Sequence, residues 1–557
     1  MADLSARLDQ MFPVLNPHQV ETAKRFASGE PKDFARGDFV YKVGDHAAPA
    51  WLVLKGSMDV FHHEGLSGEA PITTHGAGQL SGEVNQLSGR PTLAGARAGS
   101  EGCTAIPFDA AHLRALVIGS ADVGEIIMRA FILRRVGLID AGAGSVLIGT
   151  AGNAALSRLQ GFLARNAFPH IVLDAAMEGE GKALIERLGI LASDLPLMVC
   201  PNGTVLKKPT DAEAAACLGM TPDLKPGKLY DVAVVGAGPA GLATAVYAAS
   251  EGLDVLVIDE HSIGGQAGAS SRIENYLGFP TGISGQALAG RAYNQALKFG
   301  AEMVLPVAVK NLIPPKDDAG VLALELDGGK SVTARSVVIA SGARYRRPDI
   351  TNIDGFEGNG VSYWASPIEA KLCAGEEIVL VGGGNSAGQA IVFLAPQVKT
   401  LHLVVRRALE DTMSQYLIDR IKALPNVQLH MHCEVDAING DNATGISSAR
   451  LRNRLDGSVN TLPLHHLFLF IGADPNAGWI SSRVQTDDKG FIVTGQSFDE
   501  HCRFSRKPLP LETSLPNVFA IGDVRAGSTK RVAAAVGEGA AVVSQIHAAL
   551  SLMKPPN

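Results

Sequence analysis

The chain has 557 residues, a formal net charge of −7, 46% hydrophobic residues and 19% charged residues. Single hydrophobic cores stop growing at roughly 250 to 300 residues, so we expect several domains. The charges form no basic stripe, which disfavours nucleic-acid binding. The N-terminus has no secretory signal pattern, and no apolar run reaches the roughly 18 residues of a membrane span. The sequence predicts a soluble, cytoplasmic protein that binds neither nucleic acid nor a membrane.

The cysteines stand singly along the chain, at Cys103, Cys200, Cys217, Cys373, Cys433 and Cys502. None is spaced as C-x-x-C, and none has a zinc-like spacing to a histidine. We therefore expect neither structural disulfides nor a metal site.

The first part of the chain is predicted to be rich in β-strands. Short extended runs broken by glycine, such as FVYKVGD and AWLVLKGSMDVF, predict a β-roll over residues 1–120. Apolar residues at helical spacing predict a linker helix within 121–143. Strands, helices and a hairpin-like LPLMVCPNGTVL then alternate over 144–222, which predicts a small α/β domain.

A unit of strand, glycine turn and helix opens the longest part of the chain. The strand YDVAVV leads into Gly236-Ala237-Gly238-Pro239-Ala240-Gly241, and LATAVYAASEG follows as a helix. In a dinucleotide-binding turn Gly236 permits the tight bend, Gly238 lets the backbone approach the pyrophosphate, and Gly241 lets the helix pack on the strand. The alternative, a glycine-rich turn that binds nothing, is disfavoured by this strand-and-helix context.

The next strand, DVLVIDE, ends at Asp259 and Glu260, about 20 residues further on, where a carboxylate would bind the ribose hydroxyls. Glu260 is the preferred ligand by a narrow margin.

A second unit of the same kind is EIVLVGGGNSAGQAIVFLA. Its turn has glycine at the first two fingerprint positions and alanine at the third, and its cofactor-binding residues are predicted to be Gly382, Gly384, Asn385, Ser386 and Ala387. The following strand ends in Arg406 and Arg407, whose guanidinium groups would hold a 2′-phosphate, so NADPH is preferred over NADH. Taken alone the two arginines would be a solvated surface pair. Two such units suggest a flavin and a nicotinamide.

Residues 228–549 resemble the low-molecular-weight thioredoxin reductase family. The resemblance rests on GAGPAG, on Gly264-Gly265-Gln266, on ENYLGFP at 274–280, on ASGARYRRP, and on VFAIGDVRAGSTKRVAAAVGEGA, all in family order. It implies an FAD domain at 228–343 and 473–557, an NADPH domain at 344–472, and a homodimer. The residues that would lie along the flavin are Gly265, Gln266, Asn275, Gly522, Asp523, Arg531, Val532 and Ala533.

One feature departs from that family. Its redox C-x-x-C precedes the second glycine turn, and this chain has Trp364 and Pro367 at the two cysteine positions. Neither side chain forms a mixed disulfide, so ordinary thioredoxin reduction is in doubt. Trp364 would either face the flavin or pack in a core. Cys373 has no nearby partner and is interpreted as a buried structural thiol.

The N-terminal region resembles two further families. Residues 14–118 are similar to a cyclic-nucleotide-binding domain, in which Glu83 would hold the ribose 2′-hydroxyl, but Thr92 stands where that family has its phosphate-binding arginine. Unless Arg90 or Arg97 reaches the site, a docking or degenerate sensor role is favoured over cyclic-nucleotide binding. Residues 144–220 resemble a thioredoxin fold, with Leu195-Pro196 at its cis-proline position and no C-x-x-C.

The predicted architecture is multidomain α/β, with two Rossmann-like FAD- and NAD(P)-binding domains behind a β-roll and a thioredoxin-like domain. The leading hypothesis is an NADPH-dependent FAD oxidoreductase that passes electrons to an unidentified acceptor and needs no named catalytic side chain. A regulatory flavoprotein with little turnover is the second hypothesis. The third is disulfide reduction through other cysteines, such as Cys200 and Cys373.

Overall fold

The computed structural model describes residues 7–63, 68–141, 144–150, 153–177, 179–222, 224–225, 227–315, 321–357, 360–441, 445–495 and 506–553. Cys502 lies outside the described residues. The multidomain α/β architecture expected from the sequence is confirmed. Its parts are built around separate sheets.

The N-terminal β-roll is one antiparallel sheet in which β3 and β6 run side by side for most of their length. Asn16 and Gln19 form a capping box that begins its second helix. Its elements are α1 (Leu8–Met11), α2 (Pro17–Lys24), β1 (Lys32–Phe34), β2 (Phe39–Tyr41), β3 (Ala50–His63), β4 (Glu69–Gly76), β5 (Leu80–Ser81), a 3-10 turn at Val84–Leu87, β6 (Gly95–Phe108), α3 (Ala110–Gly119) and α4 (Ala121–Asp140). The helix α4 occupies the place of the predicted linker helix.

The small α/β unit that follows has a four-stranded sheet in the order β10-β9-β7-β8, with β7 and β8 parallel and the other pairs antiparallel. The Leu195–Pro196 peptide bond is cis, as expected for a thioredoxin-like fold. Its elements are β7 (Ser145–Gly149), α5 (Ala154–Arg165), β8 (His170–Asp174), α6 (Glu180–Leu188), β9 (Leu197–Val199), β10 (Val205–Lys207) and α7 (Asp211–Cys217).

The expectation of no disulfide is wrong. Cys200 and Cys217 are bonded, with their Cα atoms 6.4 Å apart. Cys200 follows β9 and Cys217 ends α7, so the strand-to-helix packing of the domain joins two cysteines that are 17 residues apart in sequence. A search for C-x-x-C spacing does not detect such a pair.

The FAD-side domain is a sheet in the order β13-β12-β11-β16-β15-β14, with β27 beside β16. Its strands β13, β12, β11, β16 and β27 are parallel. The elements before the chain leaves this domain are β11 (Leu229–Val235), α8 (Pro239–Ser250), β12 (Val255–Ile258), α9 (Gly265–Gly268), α10 (Gly285–Lys298), β13 (Glu302–Val304), β14 (Val309–Ile313), β15 (Leu322–Leu326) and β16 (Ser331–Ile339).

The chain crosses between the two nucleotide-binding domains through an antiparallel pair of short strands, β17 (Ala343–Tyr345) and β26 (Ala473–Pro475). After the second crossing it adds β27 (Val518–Ala520) and α14 (Val532–Leu552) to the first sheet and its helical layer. Ion pairs also join the domains: Arg420 Nη1 lies 2.6 Å from Glu274 Oε2, and Arg346 Nη2 lies 2.7 Å from Asp474 Oδ1.

The NADPH-side domain contains a fully parallel sheet in the order β18-β25-β19-β20-β21 and a separate antiparallel sheet of three strands. Sequence patterning assigned no strands to the antiparallel sheet. The elements are β18 (Val361–Ser362), α11 (Pro367–Leu372), β19 (Glu377–Val381), α12 (Asn385–Leu394), β20 (Thr400–Val405), α13 (Gln415–Lys422), β21 (Val427–Met431), β22 (Cys433–Asp441), β23 (Gly445–Asn453), β24 (Val459–Pro463) and β25 (His466–Leu469).

The N-terminal domains pack on the FAD-side domain. Phe108 and Leu113 of the β-roll lie in one buried cluster with Leu297 and Met303. Polar contacts reinforce this contact, because Arg90 Nη2 donates to the carbonyl oxygen of Met303 at 3.1 Å. The β-roll therefore forms a continuous hydrophobic core with the FAD-side domain.

Within the described part of the chain, α14 alone is long and apolar enough to cross a membrane by length and composition, with 21 residues and a mean hydropathy of 1.2. Core helices of globular domains meet the same criteria, so this is weak evidence for a span. Here Val542, Val543 and Ile546 are buried in one cluster with Leu242 and Ala245 of α8.

Candidate functional site

The first glycine turn lies at the carboxyl end of β11, the place where open parallel sheets bind ligands. Gly236 has φ +114°, and a Cβ atom there would collide with the carbonyl of Ala340, the residue that follows β16. A Cβ on Gly241 would collide with the carbonyl oxygen of Gly236. By contrast, no atom lies within 4 Å of a Cβ built on Gly238. The first and third glycines are thus required by the fold, whereas the second faces open space.

The two acidic residues after β12 have different surroundings. Asp259 Oδ2 accepts a hydrogen bond from the Ala237 amide at 2.7 Å, and its Oδ1 accepts from the His261 and Ser262 amides at 2.8 and 3.0 Å. Burial raises the pKa of Asp259, although these three donors oppose the effect. The side chain of Glu260 is 53% exposed and lies 3.9 Å from His261. Asp259 therefore holds the turn, and Glu260 is available to bind a ribose.

This turn fits a dinucleotide. Gly238 precedes α8 without a side chain to cap it, and Pro239 takes the first helical position. The amide N–H groups of the first turn of α8 consequently point to the open space beside Gly238, where they attract a phosphate. Ala240 is buried under the turn. The residues expected to hold the FAD pyrophosphate and ribose are suitably placed for that role.

The motif Gly264-Gly265-Gln266, in the loop after β12, packs against the first glycine turn. A Cβ on Gly265 would lie 3.1 Å from the Cα atom of Gly238, and the Gly264 amide donates to the Ala237 carbonyl at 2.7 Å. Gln266 Nε2 donates to the carbonyl oxygen of Ala343, at the crossing between the domains. Asn275 is exposed. Of the residues predicted to lie along the flavin, Gly265 contacts the first glycine turn and Gln266 contacts the crossing between the domains.

The C-terminal motif closes the same site from the side of β27. The Gly522 amide donates to Glu538 Oε2 at 2.6 Å, and a Cβ on Gly522 would lie 3.0 Å from that of Ala240. Asp523 is partly buried, which raises its pKa, while Lys530 opposes the rise. The helix α14 begins here, and the residues at its start are Arg531, Val532 and Ala533.

Glu538 is a residue of this site that the sequence did not single out. Besides the Gly522 amide it accepts hydrogen bonds from Arg525 Nη2 at 2.6 Å and Ser528 Oγ at 2.9 Å. These contacts fold the loop between β27 and α14. The available signal was its place within the C-terminal flavin motif VFAIGDVRAGSTKRVAAAVGEGA, sixteen residues after Gly522.

The second glycine turn repeats the geometry at the carboxyl end of β19. Gly382 has φ +145°, and a Cβ there would collide with the carbonyl of Phe470. Gly384 precedes α12 with no atom within 4 Å of its built Cβ. Asn385 Oδ1 accepts from the Ser414 amide at 2.7 Å, Ser386 is exposed, and Ala387 is fully buried. The turn therefore has the same open phosphate-facing position as the first.

Arg406 and Arg407 follow β20 next to this turn, and both are exposed. Arg406 Nε lies 3.8 Å from Glu434 Oε2, which is a weak surface contact. At the corresponding place in the first unit the chain has Asp259 and Glu260. The guanidinium groups fit the 2′-phosphate of NADPH, because they supply positive charge and planar donors at the ribose end of the site.

Trp364 lies where three domains meet. Its ring is 6.5 Å from that of Tyr345 on the crossing strand, and the Arg165 guanidinium of α5 lies 5.5 Å from its centroid. Trp364 Nε1 donates to Glu369 Oε1 at 2.9 Å. Pro367 begins α11. In thioredoxin reductases this segment carries the dithiol. In this chain it instead contacts the thioredoxin-like domain through the aromatic ring of Trp364.

The free cysteines among the described residues are Cys103, Cys373 and Cys433. Cys373 is fully buried in the NADPH-side core, as expected, and burial raises its pKa to about 11. Burial also raises the pKa of Cys103 and Cys433. At neutral pH each of these groups is a thiol, which is a poor nucleophile.

Comparison with known proteins agrees with this geometry. The sequence profile of the pyridine nucleotide-disulphide oxidoreductases matches residues 230–539, and that of the cyclic nucleotide-binding domain matches residues 31–119. Thioredoxin reductase of Listeria monocytogenes is 33% identical over 312 residues, which are 56% of this chain and 91% of that protein. Thioredoxin reductase of Mycoplasma genitalium is 30% identical over 320 residues, which are 57% of this chain and 95% of that protein.

Solved structures give the same result. The thioredoxin reductase of Lactococcus lactis, in its FR conformation, has a TM-score of 0.51 and 26% identity over 58% of this chain and 99% of that one. The thioredoxin reductase of T. acidophilum also has a TM-score of 0.51, with 28% identity over 57% of this chain and 98% of that one. The profile match and the Listeria relative together show that the chain belongs to the thioredoxin reductase family of pyridine nucleotide-disulphide oxidoreductases, as an NADPH-dependent FAD oxidoreductase with an N-terminal cyclic nucleotide-binding domain.

Proposed function

We propose that this protein oxidises NADPH and delivers the electrons to an acceptor other than a vicinal disulfide. The observation that carries the proposal is Trp364, which stands at a dithiol position and is held by Glu369 and flanked by Tyr345 and Arg165. Neither this indole nor Pro367 can form a mixed disulfide. The acceptor is dioxygen, a quinone or a redox protein.

The reaction is balanced without a dithiol. NADPH and one proton become NADP⁺ as the acceptor gains two electrons and two protons, so dioxygen would give hydrogen peroxide and a quinone would give a quinol. When bound, FAD supplies the two-electron chemistry between donor and acceptor. The chain's own residues bind and orient the nucleotides: Gly236 and Gly382 shape the turns, Glu260 holds a ribose, and Arg406 selects the nicotinamide nucleotide that carries a 2′-phosphate.

The free cysteines support this proposal. Cys373 is fully buried with its pKa raised to about 11, and the raised pKa of Cys433 also favours the unreactive thiol. A relay between a flavin and an external disulfide needs a thiolate that both partners can reach. Within the described residues, no free cysteine combines these properties.

A second function, a regulatory flavoprotein with little turnover, is favoured by the interface with the N-terminal domains. The side chain of Asn166 in the thioredoxin-like domain lies next to the loop after β12, accepting from the Ile263 amide at 3.4 Å. Gln286 Nε2 donates to the Ala164 carbonyl at 2.6 Å. A conformational change in the cofactor-binding loops would therefore alter hydrogen bonds that these loops form with the thioredoxin-like domain.

A third function, disulfide reduction by another route, is kept open by the Cys200–Cys217 bond. Cys200 is 2% exposed and Cys217 is partly buried, so an electron donor must reach the pair through Cys217. Replacing Cys200, Cys217 and Cys373 singly by serine tests this route. Full disulfide-reducing activity in all three variants would exclude it.

The deciding experiment is an anaerobic titration of the full-length protein with NADPH, followed by flavin absorbance. We expect bleaching at one NADPH per flavin, and then turnover at about 1 per second or faster when air or a quinone such as menadione is admitted. Turnover that requires oxidised thioredoxin would overturn the proposal. Bleaching with no turnover for any acceptor would favour the regulatory function, and failure to bleach would exclude NADPH as the donor.

A paired substitution provides a sharper control. Trp364→Cys combined with Pro367→Cys restores the C-x-x-C spacing, while Trp479→Phe changes a tryptophan of the FAD-side domain elsewhere. If the missing dithiol is the reason why electrons pass to another acceptor, the double variant should gain thioredoxin-dependent NADPH oxidation and the control should not. Thioredoxin-dependent turnover already present in the unmodified protein would contradict this reasoning.

A further inference from the structure

The carboxyl edge of the parallel sheet in the NADPH-side domain holds more than the arginine pair predicted from the sequence. The strands β20 and β21 run side by side, with Val405 opposite Met431. Arg406 and His432 follow these two residues and therefore lie next to each other. His432, with φ +55°, is the single residue between β21 and β22. The antiparallel sheet thus begins beside the residues predicted to bind the 2′-phosphate.

The turn between β23 and β24 brings a third arginine, Arg454, to the same edge. Its amide donates to the carbonyl oxygen of His432 at 2.8 Å, so a backbone hydrogen bond fixes its position. Its side chain extends to Glu434, with Nε 3.5 Å from Oε2. These contacts place Arg454 beside the end of β21, although it lies far from Arg406 in the sequence and outside both strand-turn-helix motifs.

Arg406 and Arg454 approach the same carboxylate from different elements of the fold. Arg406 Nε lies 3.8 Å from Glu434 Oε2, the oxygen that Arg454 also approaches. Both separations are longer than an ordinary hydrogen bond, so the N–H groups of the two guanidinium groups remain available to a ligand. The two side chains are 56% and 51% exposed, so a ligand can reach them from solvent.

The charge of Glu434 explains why a third arginine matters at this edge. A carboxylate beside Arg406 offsets the charge of that arginine and repels an anion, so Glu434 alone would weaken phosphate binding. Arg454 adds a positive charge at the same carboxylate and restores the balance in favour of an anion. The neighbouring arginine of β23, Arg452, does not have this role, because it pairs with Asp436.

We propose that Arg454 is a further determinant of specificity for NADPH, and that its guanidinium group, held beside Arg406 across Glu434, donates hydrogen bonds to the 2′-phosphate. A phosphate monoester carries a charge of about −1.5 to −2 at neutral pH and three acceptor oxygens, which is enough for more than one arginine. The planar fork of an arginine matches two of these oxygens at once. The inference rests on the use of NADPH in the proposed function and adds a residue outside the glycine motif to its recognition.

The test measures binding of adenosine 2′,5′-bisphosphate to the flavin-loaded, full-length protein by isothermal titration calorimetry. AMP, which lacks the 2′-phosphate, is the comparison ligand. We expect Arg454→Gln to raise the dissociation constant of the bisphosphate by about tenfold and to leave that of AMP unchanged. Neither ligand carries a nicotinamide, so the result does not depend on electron transfer or on the identity of the acceptor.

Two further variants separate phosphate recognition from a general loss of charge. Arg452→Gln removes the same charge from the same β-hairpin, but Arg452 pairs with Asp436, so the affinity for the bisphosphate should change by less than about twofold. Arg454→Lys keeps the charge without the planar fork and should weaken binding by only about threefold. Flavin content and circular dichroism check that each variant is folded.

Several results would overturn the inference. Equal weakening in Arg454→Gln and Arg452→Gln would attribute the effect to the overall charge of the hairpin. Parallel losses for the bisphosphate and AMP would show a structural role, and an unchanged affinity for the bisphosphate in Arg454→Gln would exclude the contact. An unmodified protein that binds the bisphosphate no more tightly than AMP would also contradict it. The proposed function is judged separately, because the expected binding pattern without any NADPH oxidation would support the role of Arg454 and contradict that function.

Discussion

The two strand-turn-helix units of the reductase module share a backbone and differ in charge. In both, the first glycine has a positive φ and lies against a neighbouring strand's carbonyl, and the second glycine faces open space. After the following strand, the first unit has Asp259 and Glu260, while the second has Arg406 and Arg407. The glycines thus provide one phosphate-binding frame twice, and the residues after the next strand distinguish the two nucleotides.

The largest expected effect separates the two kinds of glycine. Gly236→Ala forces a Cβ into the Ala340 carbonyl at φ +114°, and we expect loss of folded, flavin-loaded protein. Gly238→Ala meets no protein atom within 4 Å, so the fold should persist while bound FAD falls. The flavin-to-protein absorbance ratio and circular dichroism measure both effects. Equal loss of fold in both variants would break the distinction.

The second prediction concerns the arginine pair. Arg406→Gln combined with Arg407→Gln removes charge-assisted hydrogen bonds worth about 1.5 to 3 kcal/mol each, so the KM for NADPH should rise by about a hundredfold or more while that for NADH changes little. Steady-state kinetics with both nucleotides measure this. Lys399→Gln, before β20 and away from the turn, is the matched control. An unchanged preference for NADPH over NADH would show that Arg406 and Arg407 are solvated surface residues that do not bind the 2′-phosphate.

The third prediction separates the two carboxylates of the first unit. Glu260→Gln should raise the dissociation constant of FAD by about tenfold without altering the stability of the flavin-free protein. Asp259→Asn removes an acceptor from amide donors of the turn and should lower stability by about 1 to 2 kcal/mol. Flavin fluorescence on dilution and thermal unfolding report the two effects. The reverse pattern would exchange the roles of the two residues.

The smallest expected effect is a pH dependence at Glu538. Burial raises the pKa of this carboxyl, but the hydrogen bonds of Arg525, Gly522 and Ser528 outweigh burial and hold it below the ordinary 4.5. Its contribution to stability is therefore complete above pH 4.5 and is lost as the pH falls through the lowered pKa. The Tm of the unmodified protein should fall more steeply in acid than that of Glu538→Gln. Parallel curves would show that Glu538 contributes nothing through its charge.

The order of elements and the glycine turns were predictable from the sequence because both depend on local pattern. Apolar strands, turn glycines and helices lie within about 20 residues of each other, and their spacing identifies them. The preference for Glu260 over Asp259 was only narrow, because the choice depends on which carboxylate the turn amides occupy.

Contacts between distant segments were not predictable in this way. The Cys200–Cys217 bond depends on how α7 packs beside β9, and the Arg165–Trp364 contact depends on how one domain docks on another. Burial does not alternate regularly from residue to residue along β22 and β23, and β24 has no buried residue, so the apolar–polar alternation that identifies strands is weak in this sheet. One sequence offers no local signal for such pairings.

The position of Trp364 provides the protein with an internal optical reporter. The chain has three tryptophans, and Trp364 alone has an arginine of the thioredoxin-like domain over its ring, among the described contacts. Movement of that domain away from the crossing strand would expose the indole to water and shift its emission to longer wavelength. Difference spectra against Trp364→Phe would therefore follow the approach and separation of the domains during turnover, without an added label.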